Sequence, residues 1–188
     1  LNASEADAQV YGRLASSVIY ANALRRAPPS VISRNTLGQP GLWSFAVSGD
    51  LPIVLVRIGD INRIDLVKQV LQAHAYWRMK GLLSDLVIVN EDFSGYRAEL
   101  HDRIIGLINA GPEAQIIDSP GGVFLRRAEE LSEEDRVLFQ SVARVVLTDS
   151  AETLAEQVAR RVPAERLPVR LNPVRQAEAE PQQPLMVH

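Results

Sequence analysis

Between Leu51 and Glu91 the spacing of hydrophobic positions changes twice, and each change marks a new element. Leu51-Pro52-Ile53-Val54-Leu55-Val56-Arg57-Ile58 is an almost unbroken apolar run rich in β-branched residues, the pattern of a strand covered on both faces, with Pro52 tolerated only at its start. After Gly59 and Asp60 the apolar positions Leu66, Val67, Val70, Leu71, His74 and Trp77 recur at three and four, one stripe of a helix over Arg63 to Lys80 that Gly81 stops. Leu86 to Val89 is a second buried strand. Strand, helix and strand make a right-handed crossover between parallel neighbours.

The flanking pattern is helical first. Ser4, with Asp7 three residues on, caps a helix with the stripe Val10, Tyr11, Leu14, Val18 and Ala21, expected to end near Arg26 before Ala27-Pro28-Pro29. Residues to Gly41 are rich in Pro, Gly, Asn and Ser and read as an irregular connector, with a short extended piece expected within Gly41 to Val47. Beyond Glu91, Ser94 is a candidate cap for a helix with the stripe Tyr96, Leu100, Ile104, Leu107 and Ile108, ended by Gly111-Pro112. Ala114 to Ile117 and Val123 to Leu125 are strand candidates around the turn Asp118-Ser119-Pro120-Gly121-Gly122, a pair that fits a hairpin. Ser132 and Asp135 box the start of a helix through about Ala143; Val145 to Leu147 follows as a strand, and Asp149-Ser150 is expected to cap a last helix with Leu154, Val158 and Val162.

The resulting expectation is an α/β fold: a small three-layer sandwich with a mainly parallel sheet of about four strands, preceded by a long N-terminal helix. Its parts are the N-terminal helix (1–26), the irregular connector (27–50), the α/β domain (51–162) and a flexible linker tail (163–188) of Pro, Gln, Ala and balanced charge. No internal repeat recurs at about 20 to 50 residues. With 188 residues the chain fills one core but not two. Because the first helix begins almost at Leu1, the chain reads as a piece of a longer polypeptide.

Charge and composition narrow the partners. A net charge of -3 with scattered basic residues gives no electrostatic reason to expect nucleic acid or an acidic lipid surface. The absence of cysteine removes disulfides, thiolate metal sites and cysteine nucleophiles, and it fits a reducing compartment. No run approaches the roughly 18 apolar residues of a membrane span, so no direct membrane contact by this segment is expected.

Parallel sheets bind ligands beyond the carboxyl ends of their strands, which directs attention to 59–62, 90–94 and 148–150. Asp60, Asn62, Glu91, Asp92 and Asp149 are the candidate ligand-binding residues, able to meet a metal, sugar hydroxyls or a ribose if they converge. The competing reading is that Asp, Asn and Ser here cap the helices that follow. No catalytic or metal-ligating residue is assigned and no cofactor is expected: there is no GxGxxG, Walker or GxSxG motif, and no histidine has a ligand partner at i+3 or i+4. Ser48-Gly49-Asp50 and Ser119-Pro120-Gly121-Gly122 precede strands and read as turns, not phosphate loops. His74 reads as a packed, hydrogen-bonded core residue and His101 as solvent-facing; Tyr76 and Trp77 read as core more than as a sugar platform. The acidic run Glu129, Glu130, Glu133, Glu134 and Asp135 is a solvated face favoured by a helix N-terminus. A glycosidase pair would need two carboxyl groups about 5 to 9.5 Å apart across a cleft, which spacing along the chain does not reveal.

Several phrases together resemble one family. They are Gly41-Leu42-Trp43, Ser48 through Ile58, Ala73-His74-Ala75-Tyr76-Trp77-Arg78, Lys80-Gly81-Leu82, Asp85 through Glu91, Pro120 through Ala128, Leu131 through Arg136 and Arg144-Val145-Val146-Leu147. Over about Tyr11 to Arg161 the chain resembles the cyclic β-1,2-glucan synthases, large membrane enzymes with glycosyltransferase and glycoside-phosphorylase modules. One departure is Ala46, where the family tends to carry glycine. The resemblance implies a parent that builds cyclic β-1,2-glucan from UDP-glucose and trims it with phosphate, anchored in a bacterial inner membrane with this segment on the cytoplasmic side. It also implies an accessory segment between β-sandwich regions ahead of a helical barrel. Neighbouring modules of the parent would be its partners, with glucan a further candidate. The DxD and QxxRW motifs of nucleotide-sugar transfer are absent, so no family catalytic residue maps onto a numbered position here.

Overall fold

The computed structural model describes residues 3–93, 97–150 and 152–160. Helix α1 (Glu5–Tyr20) is followed by two single-turn helices, α2 (Pro29–Ile32) and α3 (Pro40–Trp43). Then come β1 (Ile53–Ile58), α4 (Ile64–Met79), β2 (Asp85–Asn90), α5 (Arg97–Asn109), β3 (Val123–Arg127), α6 (Glu133–Val142), β4 (Val145–Thr148) and α7 (Leu154–Ala159). The four strands form one parallel sheet in the order β3-β2-β1-β4. This is the α/β architecture that the two apolar runs and the intervening stripe predicted.

The pleat explains why the central strands are apolar throughout. In β1, Val54, Val56 and Ile58 enter one core with Leu86, Ile88, Val123, Val145 and Leu147, covered by α1, α4, α5 and α7. Ile53 and Leu55 enter a second core with Val87, Val89 and Phe124, covered by Leu42 of α3 and by Leu138 and Phe139 of α6. Strands buried on both faces cannot alternate with polar residues, so β2 is buried at all six positions. Two hydrogen bonds carry α1 on α4: Trp77 Nε1 donates to the Tyr11 carbonyl at 2.8 Å, and Tyr11 OH donates to Gln72 Oε1 at 3.1 Å.

Local chemistry sets the ends. Ser4 with Asp7 and Ser132 with Asp135 form the expected capping boxes, and Gly81 leaves α4 at φ +83°. Four expectations are corrected. The first helix ends at Tyr20, where Ala21 takes φ +51°, and a 3₁₀ turn covers Ala23–Arg25. The 27–50 segment holds α2 and α3 instead of an extended piece, since a proline at each first turn starts a helix too short to show periodicity. Pro112–Ile116 is a 3₁₀ helix, and β3 pairs parallel with β2 instead of closing a hairpin; Ile117 makes one parallel bridge to Val123. Finally, Thr153 with Glu156, not Asp149-Ser150, caps α7. The expected cap Ser94 and the tail 163–188 lie outside the described residues.

Two backbone positions are demanding. A Cβ on Gly122 would lie 1.8 Å from the Ile116 carbonyl oxygen, so only glycine permits the turn to return against the 3₁₀ helix. Ala46 sits at φ +60°, in the left-handed region that favours glycine.

Candidate functional site

The strand order locates the crevice. The chain steps outward from β1 to β2 to β3, then crosses to β4 on the other side of β1, so the order reverses between the carboxyl ends of β1 and β4. In open parallel sheets an anion commonly rests there on free backbone N–H groups. Here the protein supplies its own: Asp149 Oδ2 accepts from Gly59 N at 2.7 Å and from Asp60 N at 2.8 Å. The Asp149 N–H in turn donates to the Arg57 carbonyl at 3.2 Å. Asp149 was expected as a cap or a ligand; it instead ties the β4 end to the β1 end.

The other candidates are likewise engaged. Asp60 Oδ1 accepts from the backbone N–H and from Nδ2 of Asn62, both at 2.9 Å, and so begins the 3₁₀ turn Ile61–Arg63 that leads into α4. Glu91 Oε1 pairs with Arg57 Nε at 2.7 Å, and Arg57 Nη1 also donates to Gln140 Oε1 of α6 at 3.3 Å. Asp92 gives its backbone N–H to Asn90 Oδ1 at 2.9 Å. Gly59 lets the two loops approach, since a Cβ there would stand 3.1 Å from the Glu91 carbonyl oxygen. Near Asn90, Asp92 and Arg127 the cavity holds only about 10 Å³, space for about one water and not a sugar. Among the described residues no group of three or more His, Asp or Glu side chains could hold a metal ion.

Arg57 and Gln140 were not among the sequence candidates. Arg57 carried a signal, a lone charge inside a buried apolar strand; Gln140 carried none.

The most deeply buried polar groups lie at the opposite, amino end of the sheet. His74 Nε2 faces the Ser84 carbonyl at 2.8 Å and must donate to it, while Nδ1 lies 2.9 Å from Glu113 Oε2. Arg78 stands 3.7 Å from the other Glu113 oxygen. Beside them, Asp85 Oδ1 accepts from Gly121 N at 2.7 Å, whereas Oδ2 has no hydrogen-bond partner. Burial raises the Asp85 pKa, opposed by the Gly121 N–H and by His74. His74 is thus the packed histidine its stripe position predicted, and Trp77 is core. His101 is half-buried instead of solvent-facing, with its pKa lowered chiefly by that burial.

No protein-family model matches the chain. It is 28% identical over 155 residues to cyclic beta-(1,2)-glucan synthase NdvB of Rhizobium meliloti (strain 1021), which bears out the resemblance carried by the sequence phrases. The match covers 82% of this chain and 6% of that protein, so the similarity is to a small internal segment of a much larger synthase. Among the described residues no helix is long and apolar enough to cross a membrane.

Proposed function

We propose that this chain is a non-catalytic accessory domain of a cyclic β-1,2-glucan synthase, one that spaces and orients the modules which make and trim the glucan. The observation that carries this reading is the Asp149 carboxylate on the Gly59 and Asp60 amides. A domain that used its sheet for ligand binding would leave those donors for the ligand; here a side chain of the same chain consumes them. Engagement of Asp60 by Asn62 and of Glu91 by Arg57 supports the same conclusion.

Two exposed side chains support a reading in which the domain docks on neighbouring modules. Tyr20, at the end of α1, is 81% exposed and Trp43, in α3, is 61% exposed, large apolar groups suited to contact with other parts of a long polypeptide. In this reading the parent makes cyclic β-1,2-glucan from UDP-glucose, shortens chains by phosphorolysis, and holds the domain on the cytoplasmic side of a bacterial inner membrane.

Incubation of the isolated chain with UDP-glucose, and separately with β-1,2-glucan plus phosphate, tests the assignment. No transfer and no glucose phosphate is the expected result. Sustained turnover of either would overturn it.

A further inference from the structure

We infer that His74 and Glu113 hold one proton between them, so that the 3₁₀ helix Pro112–Ile116 is fastened to α4 by a bond that rising pH loosens. The arrangement of donors and acceptors requires that proton. His74 Nε2 lies 2.8 Å from the Ser84 carbonyl, which can only accept, so a neutral ring carries its hydrogen on that nitrogen. Nδ1 is then a lone pair, yet Glu113 Oε2 stands 2.9 Å from it. Two bare acceptors at that distance repel, and the side chains are 2% and 1% exposed, so water does not screen them. A proton in the gap turns the repulsion into a bond, whether it rests on nitrogen, giving imidazolium and carboxylate, or on oxygen, giving imidazole and carboxylic acid.

The charged groups around the pair come from three elements. Arg78, one turn along α4 from His74, stands 3.7 Å from Glu113 Oε1. Asp85 opens β2, and Asp50 precedes β1; burial raises the Asp85 pKa, which the Gly121 N–H and His74 lower and Asp50 raises further. The Trp77 ring meets His74 edge-on, with centroids 6.5 Å apart, and closes the apolar side. In the unfolded chain above about pH 6.5 an ordinary histidine and glutamate carry no proton between them, whereas the folded pair carries one. Folding there takes up a proton, and the stability tied to it falls as pH rises. Asp85 acts in the same direction through its own raised pKa. His101, whose pKa burial lowers, is bare in both states above neutrality.

The test is urea unfolding of the 188-residue chain between about pH 7 and 8, beside the variant Glu113→Gln. Glutamine offers His74 Nδ1 a permanent N–H donor and keeps an oxygen toward Arg78, so the bond survives without a shared proton. Per pH unit the unaltered chain should lose about tenfold more of its folding equilibrium constant than Glu113→Gln, the slope of one proton. Asp85 titrates in both chains and drops out of that difference. Equal slopes would overturn the inference. A second readout needs no substitution: at about pH 7.5 the His74 Nδ1 nitrogen resonance should be displaced from the position of a bare ring nitrogen toward that of a protonated one. A bare, unbonded Nδ1 at that pH would overturn it as well.

Discussion

The two ends of the sheet carry polar residues of the same kinds and use them differently. At the carboxyl ends, Asp149, Asp60, Asn62, Glu91 and Arg57 are half-buried or exposed and engage one another and nearby backbone amides. At the amino ends, His74, Glu113 and Asp85 are buried, and Asp85 Oδ2 and Ser84 Oγ lack partners. Perturbed buried groups usually direct attention to a reaction site. Here they bind the 3₁₀ helix Pro112–Ile116 and the turn at Gly121 to α4 and β2, away from the crevice where a parallel sheet receives ligands. The comparison teaches that buried polar groups whose bonds join separate elements mark a structural fastening.

The largest effect expected from breaking this contrast is at the amino end. Glu113→Ala removes the buried partner of both His74 and Arg78 and should lower stability by about 4 kcal/mol, read from urea unfolding. Gly122→Ala forces a methyl group against the Ile116 carbonyl and should cost about 3 kcal/mol by the same measurement. At the carboxyl end, Asp149→Ala should cost less, about 2 kcal/mol, because the two freed amides lie where water can reach them.

Asp85 sharpens the comparison through pH. Its folded pKa is raised, so the folded state holds the proton more tightly than the unfolded chain; the stability this gives is full below the unfolded value and is lost as pH rises through the raised one. At neutral pH the buried carboxylate is therefore a net cost. Asp85→Asn keeps an oxygen for Gly121 N and should stabilise the chain at neutral pH by about 1 kcal/mol or less, an advantage that disappears in acid. Equilibrium unfolding at several pH values checks the sign. The smallest change is Ala46→Gly, which relieves a left-handed alanine on the surface and should add about 0.5 to 1 kcal/mol to the thermal stability.

The parts of the fold that were legible in sequence are those built by repetition. Eight residues of apolar run, a stripe at three and four, and Ser-x-x-Asp boxes each state an element locally, which is why β1, α4, β2 and the start of α6 stood where the pattern put them. What was not legible depends on partners distant in the chain. Ala114 to Ile117 reads as a strand, but Glu113 just before it is drawn inward to His74, 39 residues earlier, and Pro112–Ile116 coils as a 3₁₀ helix beside that bond. Asp149 looked like a helix cap, yet the amides it satisfies belong to Gly59 and Asp60, about ninety residues away. The short helices α2 and α3 had no period to show. In the candidate site the residue types and loops were readable from the rule for parallel sheets, whereas the closed circuit among them was not.

Backbone amide spectra of the 188-residue chain, titrated with UDP-glucose and with β-1,2-glucan, test the central claim most directly. The account predicts that the Gly59 and Asp60 resonances stay in place at every concentration, held by the Asp149 carboxylate. Saturable movement of those two signals, abolished in Asp149→Ala or strengthened by it, would contradict the account, for it would show that the crevice opens to a ligand.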